Sequence, residues 1–206
     1  MAFLDIAALR AAPLATDPFD HFVCQQSLRA DALPALRQDF PDIKSPGSLP
    51  EASLDCGPSF ETLLKELRGD DFARVISEKF QMDLAGRPVM ITVRGQCRAS
   101  DGKIHTDSGG KLATILLYMN ADWSDANGRL RLLRNGTDLN DYAAELAPAE
   151  GTMLAFRCTN NAWHGHTSFA GERRTVQVNW VRSDGYLRRE RLRHRVSAFF
   201  KTGKAG

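Results

Sequence analysis

The sequence changes its grammar at Pro88, and that change limits what the chain can become. Beyond it come short runs rich in β-branched and apolar residues: "VMITVRGQC", "KLATILLYMN", "GRLRLLR", "GTMLAFRC", "AWHGHTSF" and "RRTVQVNWVRS". Turn-forming clusters such as "SDG", "ANG", "RNG" and "AGE" separate them. Strands in succession, with no helices between them, point to an antiparallel sandwich or jelly roll.

Before Pro88 the spacing is helical. "SLRADALPALRQDF" places Leu28, Leu33, Leu36 and Phe40 at roughly helical intervals in spite of Pro34. "SFETLLKELR", with Ser59 as N-cap, puts Phe60, Leu63, Leu64 and Leu67 on one face and ends at Gly69. "DFARVISEKF", capped by Asp70 or Asp71, carries a further stripe of Phe72, Val75, Ile76 and Phe80. Residues 42–59 are rich in Pro, Gly and Ser and read as a long loop. The expected fold is α+β with a mostly β core. It is a double-stranded β-helix (jelly roll) with the N-terminal helices packed on the larger sheet and a C-terminal helix in "YLRRERLRHRVSAFF". One domain spans 1–206: a helical support region at 1–87, the jelly-roll core at 88–182, and the C-terminal helix and tail at 183–206.

Composition agrees with this. A chain of 206 residues, 43% hydrophobic, can bury a sizeable single core. Its formal net charge is +2, so nothing calls for nucleic acid or an acidic membrane as partner. The basic run "LRRERLRHR" reads as a solvated helix face. No stretch approaches the ~20 apolar residues that span a bilayer. The N-terminus, interrupted by Asp5 and Arg10, does not read as a signal peptide. Cys24, Cys56, Cys97 and Cys158 are scattered without a C-x-x-C pair, which suits reduced thiols and a cytoplasmic location.

The chemistry lies in the strand half. In "KIHTDSGGK", His105 and Asp107 are two apart, and extended backbone points both to one face. An imidazole and a carboxylate converging in this way make two-thirds of a 2-His-1-carboxylate facial triad, a site suited to Fe(II). Alone, the triplet is as compatible with a polar turn. "NNAWHGHTSFAGERRTVQVNW" supplies His164 and His166, also two apart, as candidates for the third ligand. It also supplies Arg173 and Arg174, whose guanidinium forks match a carboxylate. Adjacent strand residues face opposite ways, so only one of the two arginines points inward.

This arrangement resembles the Fe(II)/2-oxoglutarate-dependent oxygenases, in their prolyl-hydroxylase-like branch. The shared pattern runs from the H-x-D of His105 and Asp107 through Thr114–Asn120, Trp123, Gly128–Leu132 and Gly151–Phe156 to His164 and Arg174. It covers about Val89 to Val181. The resemblance implies iron ligated by His105, Asp107 and His164. It implies 2-oxoglutarate held at its distal carboxylate by Arg174 and Tyr118, with Thr114 on the same face. The spacing to Arg174 favours His164 over His166. Two positions depart from the pattern. Gly95-Gln96 stands where a tyrosine often reaches the cosubstrate, so Gln96 is the candidate there, and Asn127-Gly128 replaces a double glycine.

The implied activity is hydroxylation of a C–H bond, with O2 as cosubstrate, succinate and CO2 as products, and ascorbate as an accessory reductant. The substrate would be a small molecule or a prolyl or other amino-acid or peptide side chain, and a homodimer is left open. The competing reading is a non-enzymatic, cupin-like jelly roll that binds a metal or a sugar. Cupins draw several histidines from one compact motif, which "IHTDSGG" lacks.

Overall fold

The computed structural model describes residues 2–190 and 192. Four helices form in the first half: α1 (Ile6–Ala11), α2 (Leu33–Gln38), α3 (Pro58–Glu66) and α4 (Asp70–Phe80). The strands are β1 (Leu14–Ala15), β2 (His21–Cys24), β3 (Leu49–Pro50), β4 (Val89–Cys97), β5 (Lys111–Tyr118), β6 (Leu130–Leu133), β7 (Tyr142–Leu146), β8 (Met153–Arg157), β9 (His164–His166) and β10 (Gly171–Val181). They make a seven-stranded sheet, order β1-β2-β8-β5-β10-β4-β3, and a three-stranded sheet, order β7-β6-β9. All these pairings are antiparallel.

Strand alternation gives the large sheet two distinct faces. On β5, Ala113, Ile115 and Leu117 pack against the helices, whereas Leu116 and Tyr118 join a second cluster with Leu130 and Leu132 of the small sheet. On β10, Val176, Val178 and Trp180 belong to the helix side. The helical stripes complete that layer: Phe72 of α4 meets Trp180 with ring centroids 5.6 Å apart, and Phe80 meets Phe22 at 5.9 Å. The jelly-roll architecture with N-terminal helices on the larger sheet is therefore present. The inner face of that sheet is left for polar side chains.

Details differ from the sequence reading. α3 begins at Pro58 with Gly57 as its N-cap, and the Ser59 amide donates to Asp39 Oδ2 at 2.7 Å. A distant carboxylate thus caps the helix in place of its own first serine. α4 has Gly69 at its N-cap with no side-chain cap; Asp70 and Asp71 lie in its first turn and favour the helix dipole from there. α2 is short because Pro34 fits only a first turn. The helical region also lends β1, β2 and β3 to the large sheet. β7 was not legible as a strand because "YAAEL" is exposed and barely alternates. Residues 184–190 and 192 are helical, and the rest of the expected C-terminal helix, residue 191 and everything from 193, lies outside the described residues.

Ile115 is fully buried at the centre of the large sheet, on the helix side. Ile115→Ala is expected to cost about 2–5 kcal/mol of stability by leaving a cavity. Urea unfolding at constant m-value is the measurement.

Candidate metal centre

The short β9 is the anchor. His105 forms an isolated antiparallel bridge with His164, in which the two residues exchange both backbone hydrogen bonds at 3.0 Å. Their rings lie 4.3 Å apart between centroids. Gly165 allows this approach: a Cβ there would lie 2.8 Å from the Gly102 carbonyl oxygen, which accepts the His166 amide. His105 Nδ1 donates to the Lys103 carbonyl at 2.8 Å, and His164 Nδ1 to the Ala162 carbonyl at 3.0 Å. Both rings are thereby fixed in the tautomer that leaves Nε2 free for a metal.

Asp107 completes the group. One ligand atom from each of His105, Asp107 and His164 lies within 4.8 Å of the others. The Asp107 carboxylate is almost wholly buried and held from both ends. Lys111 Nζ donates to Oδ1 at 2.7 Å, and Thr114 Oγ1 donates to Oδ2 at 2.5 Å. Burial works to raise its pKa, but the Lys111 ammonium, the neighbouring His164 and these hydrogen bonds outweigh it and hold the carboxyl below its ordinary range. His164 is pushed down to about 4, first by burial and then by His105. A neutral imidazole beside an ionised carboxylate is the state that metal ligation needs. The donor set, two nitrogens and one oxygen, suits Fe(II).

The three residues line a cavity of about 140 Å³, which Arg173, Thr175 and His166 also line. Arg173 is buried; its Nε donates to the Gly128 carbonyl at 2.9 Å and its guanidinium lies 5.2 Å over the Tyr118 ring. Tyr118 pairs with Thr175 across β5 and β10. Arg173 Nη2, Thr175 Oγ1 and Tyr118 Oη are all buried without a hydrogen-bond partner. Each unmet buried group costs about 1–3 kcal/mol. A carboxylate in the cavity would meet Arg173 Nη2 and Thr175 Oγ1, so these two residues fit the distal end of a dicarboxylate, whereas Tyr118, the sequence candidate for the same contact, does not line the cavity and lies in the apolar cluster between the sheets.

Of the two arginines, the structure puts Arg173, and not the sequence candidate Arg174, on the cavity wall. Arg174 lines neither this cavity nor a second one that adjoins it at His105 and Asp107; its Nη2 pairs with Glu172 at 3.1 Å and its guanidinium lies 5.0 Å over Phe40, among the helices. The reason is strand parity: Arg174 falls with Val176, Val178 and Trp180, and Arg173 with Thr175 and Gln177. Gln96 also lines neither cavity; its strand instead contributes Thr92 and Arg94, the latter paired with Asp101 at 2.7 Å. Thr114 lines the cavity, but its hydroxyl is committed to Asp107. His166 stands beside the metal group with its Nε2 3.9 Å from Cys97 Sγ. Lys111, Thr175, Gln177 and Asn179 were not singled out from sequence, although the alternation of "RRTVQVNW" against its apolar partners carries the signal for the last three.

Residues 95–182 match the family described as the 2OG-Fe(II) oxygenase superfamily. No curated protein sequence is matched. Among solved structures, a prolyl-4-hydroxylase from Pseudomonas putida is similar at 15% identity and TM-score 0.53, over 86% of this chain and 97% of that one. A viral collagen prolyl hydroxylase from Paramecium Bursaria Chlorella virus-1 is similar at 13% identity and TM-score 0.52, over 82% and 99%. A prolyl 4-hydroxylase from Phytophthora capsici is similar at 14% identity and TM-score 0.56, over 88% and 66%. At these identities the likeness is one of fold.

His164 and His166 are both held near 4 in the folded protein, chiefly by burial, against 6.5 for a free imidazole. Between those values the unfolded chain binds more protons, so stability falls as pH is lowered through that window. The metal-free protein should lose urea midpoint steadily from about pH 7 to pH 4, and a His164→Gln, His166→Gln double variant should show a flatter profile.

Proposed function

We propose that this chain is a 2OG-Fe(II) oxygenase, the superfamily whose model matches residues 95–182, in which His105, Asp107 and His164 hold the iron and Arg173 holds 2-oxoglutarate. The observation that carries the assignment is the juxtaposition of a His-Asp-His group with a buried arginine that has an unmet N–H on the wall of the same cavity. Iron and 2-oxoglutarate, when bound there, would supply the activation of O2 for hydroxylating a C–H bond, with the keto acid converted to succinate and CO2.

The protein's own contribution is placement. Nδ1 hydrogen bonds to backbone carbonyls fix the two imidazoles, and Lys111 and Thr114 fix the carboxylate. Arg173 and Thr175 offer buried donors on the cavity wall, where little water competes and a charge-assisted hydrogen bond is strong. Leu116 and Leu130 help to wall the cavity. A cupin-like binding module would have no use for an arginine with this geometry. The named prolyl substrates of the similar structures make a peptide one candidate, and a small molecule is the other. No helix among the described residues is long and apolar enough to cross a membrane. The four free cysteines support a reducing, cytoplasmic setting.

The test is 2-oxoglutarate-dependent succinate release by iron-loaded protein. Asp107→Ala should abolish it together with Mn(II) binding. Arg173→Ala should raise the KM for 2-oxoglutarate roughly 30- to 1,000-fold, the loss of one or two charge-assisted hydrogen bonds. Arg174→Ala should change it less than about threefold, as for an exposed ion pair. Equal effects of the two arginine variants would sink the assignment, and activity retained by Asp107→Ala would sink the class.

A further inference from the structure

A second cavity, of about 300 Å³, adjoins the first and shares His105 and Asp107 with it. That volume is at the small end for ligand sites, about 300–1,000 Å³. Its wall is unlike a slot for an apolar side chain. Met90 is its one apolar side chain, and Thr92, Ser108, Lys111, Gln177 and Asn179 are prominent among the rest. Glu190 lines it as well, engaged in an interaction of its own. Asn179 is fully buried, and its Nδ2 has no partner. Lys111 is nearly buried too, and Asp107 takes only one of the three N–H bonds of its ammonium. The two groups are close: Thr114 Oγ1 touches both Asp107 and Asn179 Oδ1, the latter at 2.9 Å.

β10 thus carries an unmet donor at each end of one face. Arg173 serves one cavity and Asn179 the other, six residues and about 20 Å of extended strand away. Two separate acceptor-bearing ligands match this better than one.

Resting on the oxygenase reading above, we infer that the primary substrate is a small carboxylate, its carboxylate held by Lys111 and Asn179 in the second cavity. This places the substrate beside Asp107 without competing for Arg173. It makes Lys111 a specificity-determining residue as well as a support for Asp107.

The test uses full-length protein loaded with Mn(II) and 2-oxoglutarate, which does not turn over. It is titrated calorimetrically with the protein amino acids and with short mono- and dicarboxylic acids, each beside its primary amide. The same pairs, and a set of prolyl peptides, are then run with Fe(II) and O2 for succinate release. At least one acid is expected to bind and to stimulate release with a kcat/KM at least tenfold above that of its amide. Lys111→Met should bring acid and amide to the same value, whereas Lys111→Arg should keep most of the preference. Loss of support for Asp107 alone would lower both members of a pair together, so the ratio isolates the substrate contact. Asn179→Ser should reduce the ratio several-fold and stands in if Lys111→Met does not fold. The inference is overturned if acid and amide are used equally, if no acid binds although Mn(II) and 2-oxoglutarate do, or if only peptides stimulate release. Failure of Mn(II) and 2-oxoglutarate themselves to bind would instead overturn the oxygenase assignment, and this inference with it.

Discussion

A buried carboxylate organises this protein's working face. Ionised Asp107 sits with little access to water, a placement that is costly unless its oxygens are met. Lys111 meets one and Thr114 the other. Both come from the first residues of β5, so the strand that forms the middle of the large sheet also fixes the acid on the loop before it. Lys111 supplies the positive charge that keeps Asp107 ionised even without a metal. The fold's own hydrogen bonds therefore hold this carboxylate beside the two histidines.

The second constraint is the pairing of that loop with β9. A strand of three residues is short, yet it holds His164 and bridges His105 through its backbone. Gly165 is what lets the two backbones lie so close. The three residues of the candidate metal group thus come from two segments far apart in sequence, joined by one bridge at the edge of the small sheet. The cavity then opens toward the inner face of the large sheet, where β10 sets its polar side chains in a row.

Much of this was legible in the residues. The first long strand, β4, begins directly after Pro88 and occupies the whole of "VMITVRGQC", although three short strands precede it. The apolar stripes of α3 and α4 do face the core. The convergence of His105 and Asp107 followed from their spacing, although His105 makes a single bridge and is not part of a regular strand. The caps of α3 and α4 were not legible, because Asp39 reaches Ser59 only through tertiary packing and a glycine N-cap leaves no side-chain signal. Strands of two residues, such as β1 and β3, lie below what periodicity can register.

The arginine pair shows why spacing is a weaker guide than parity. Counting ten residues from His164 selects Arg174, and a register irregularity between Glu172 and Thr175 lies in the stretch being counted. Counting backwards from the core does better. Val176, Val178 and Trp180 must face the helices, since nothing else in the strand can fill that layer, and Arg174 shares their side. Arg173 then falls with Thr175, Gln177 and Asn179, the polar set that lines the two cavities. The hydrophobic half of an amphipathic strand is fixed by the largest energy at stake, the burial of the core. The functional half is read most reliably as its complement.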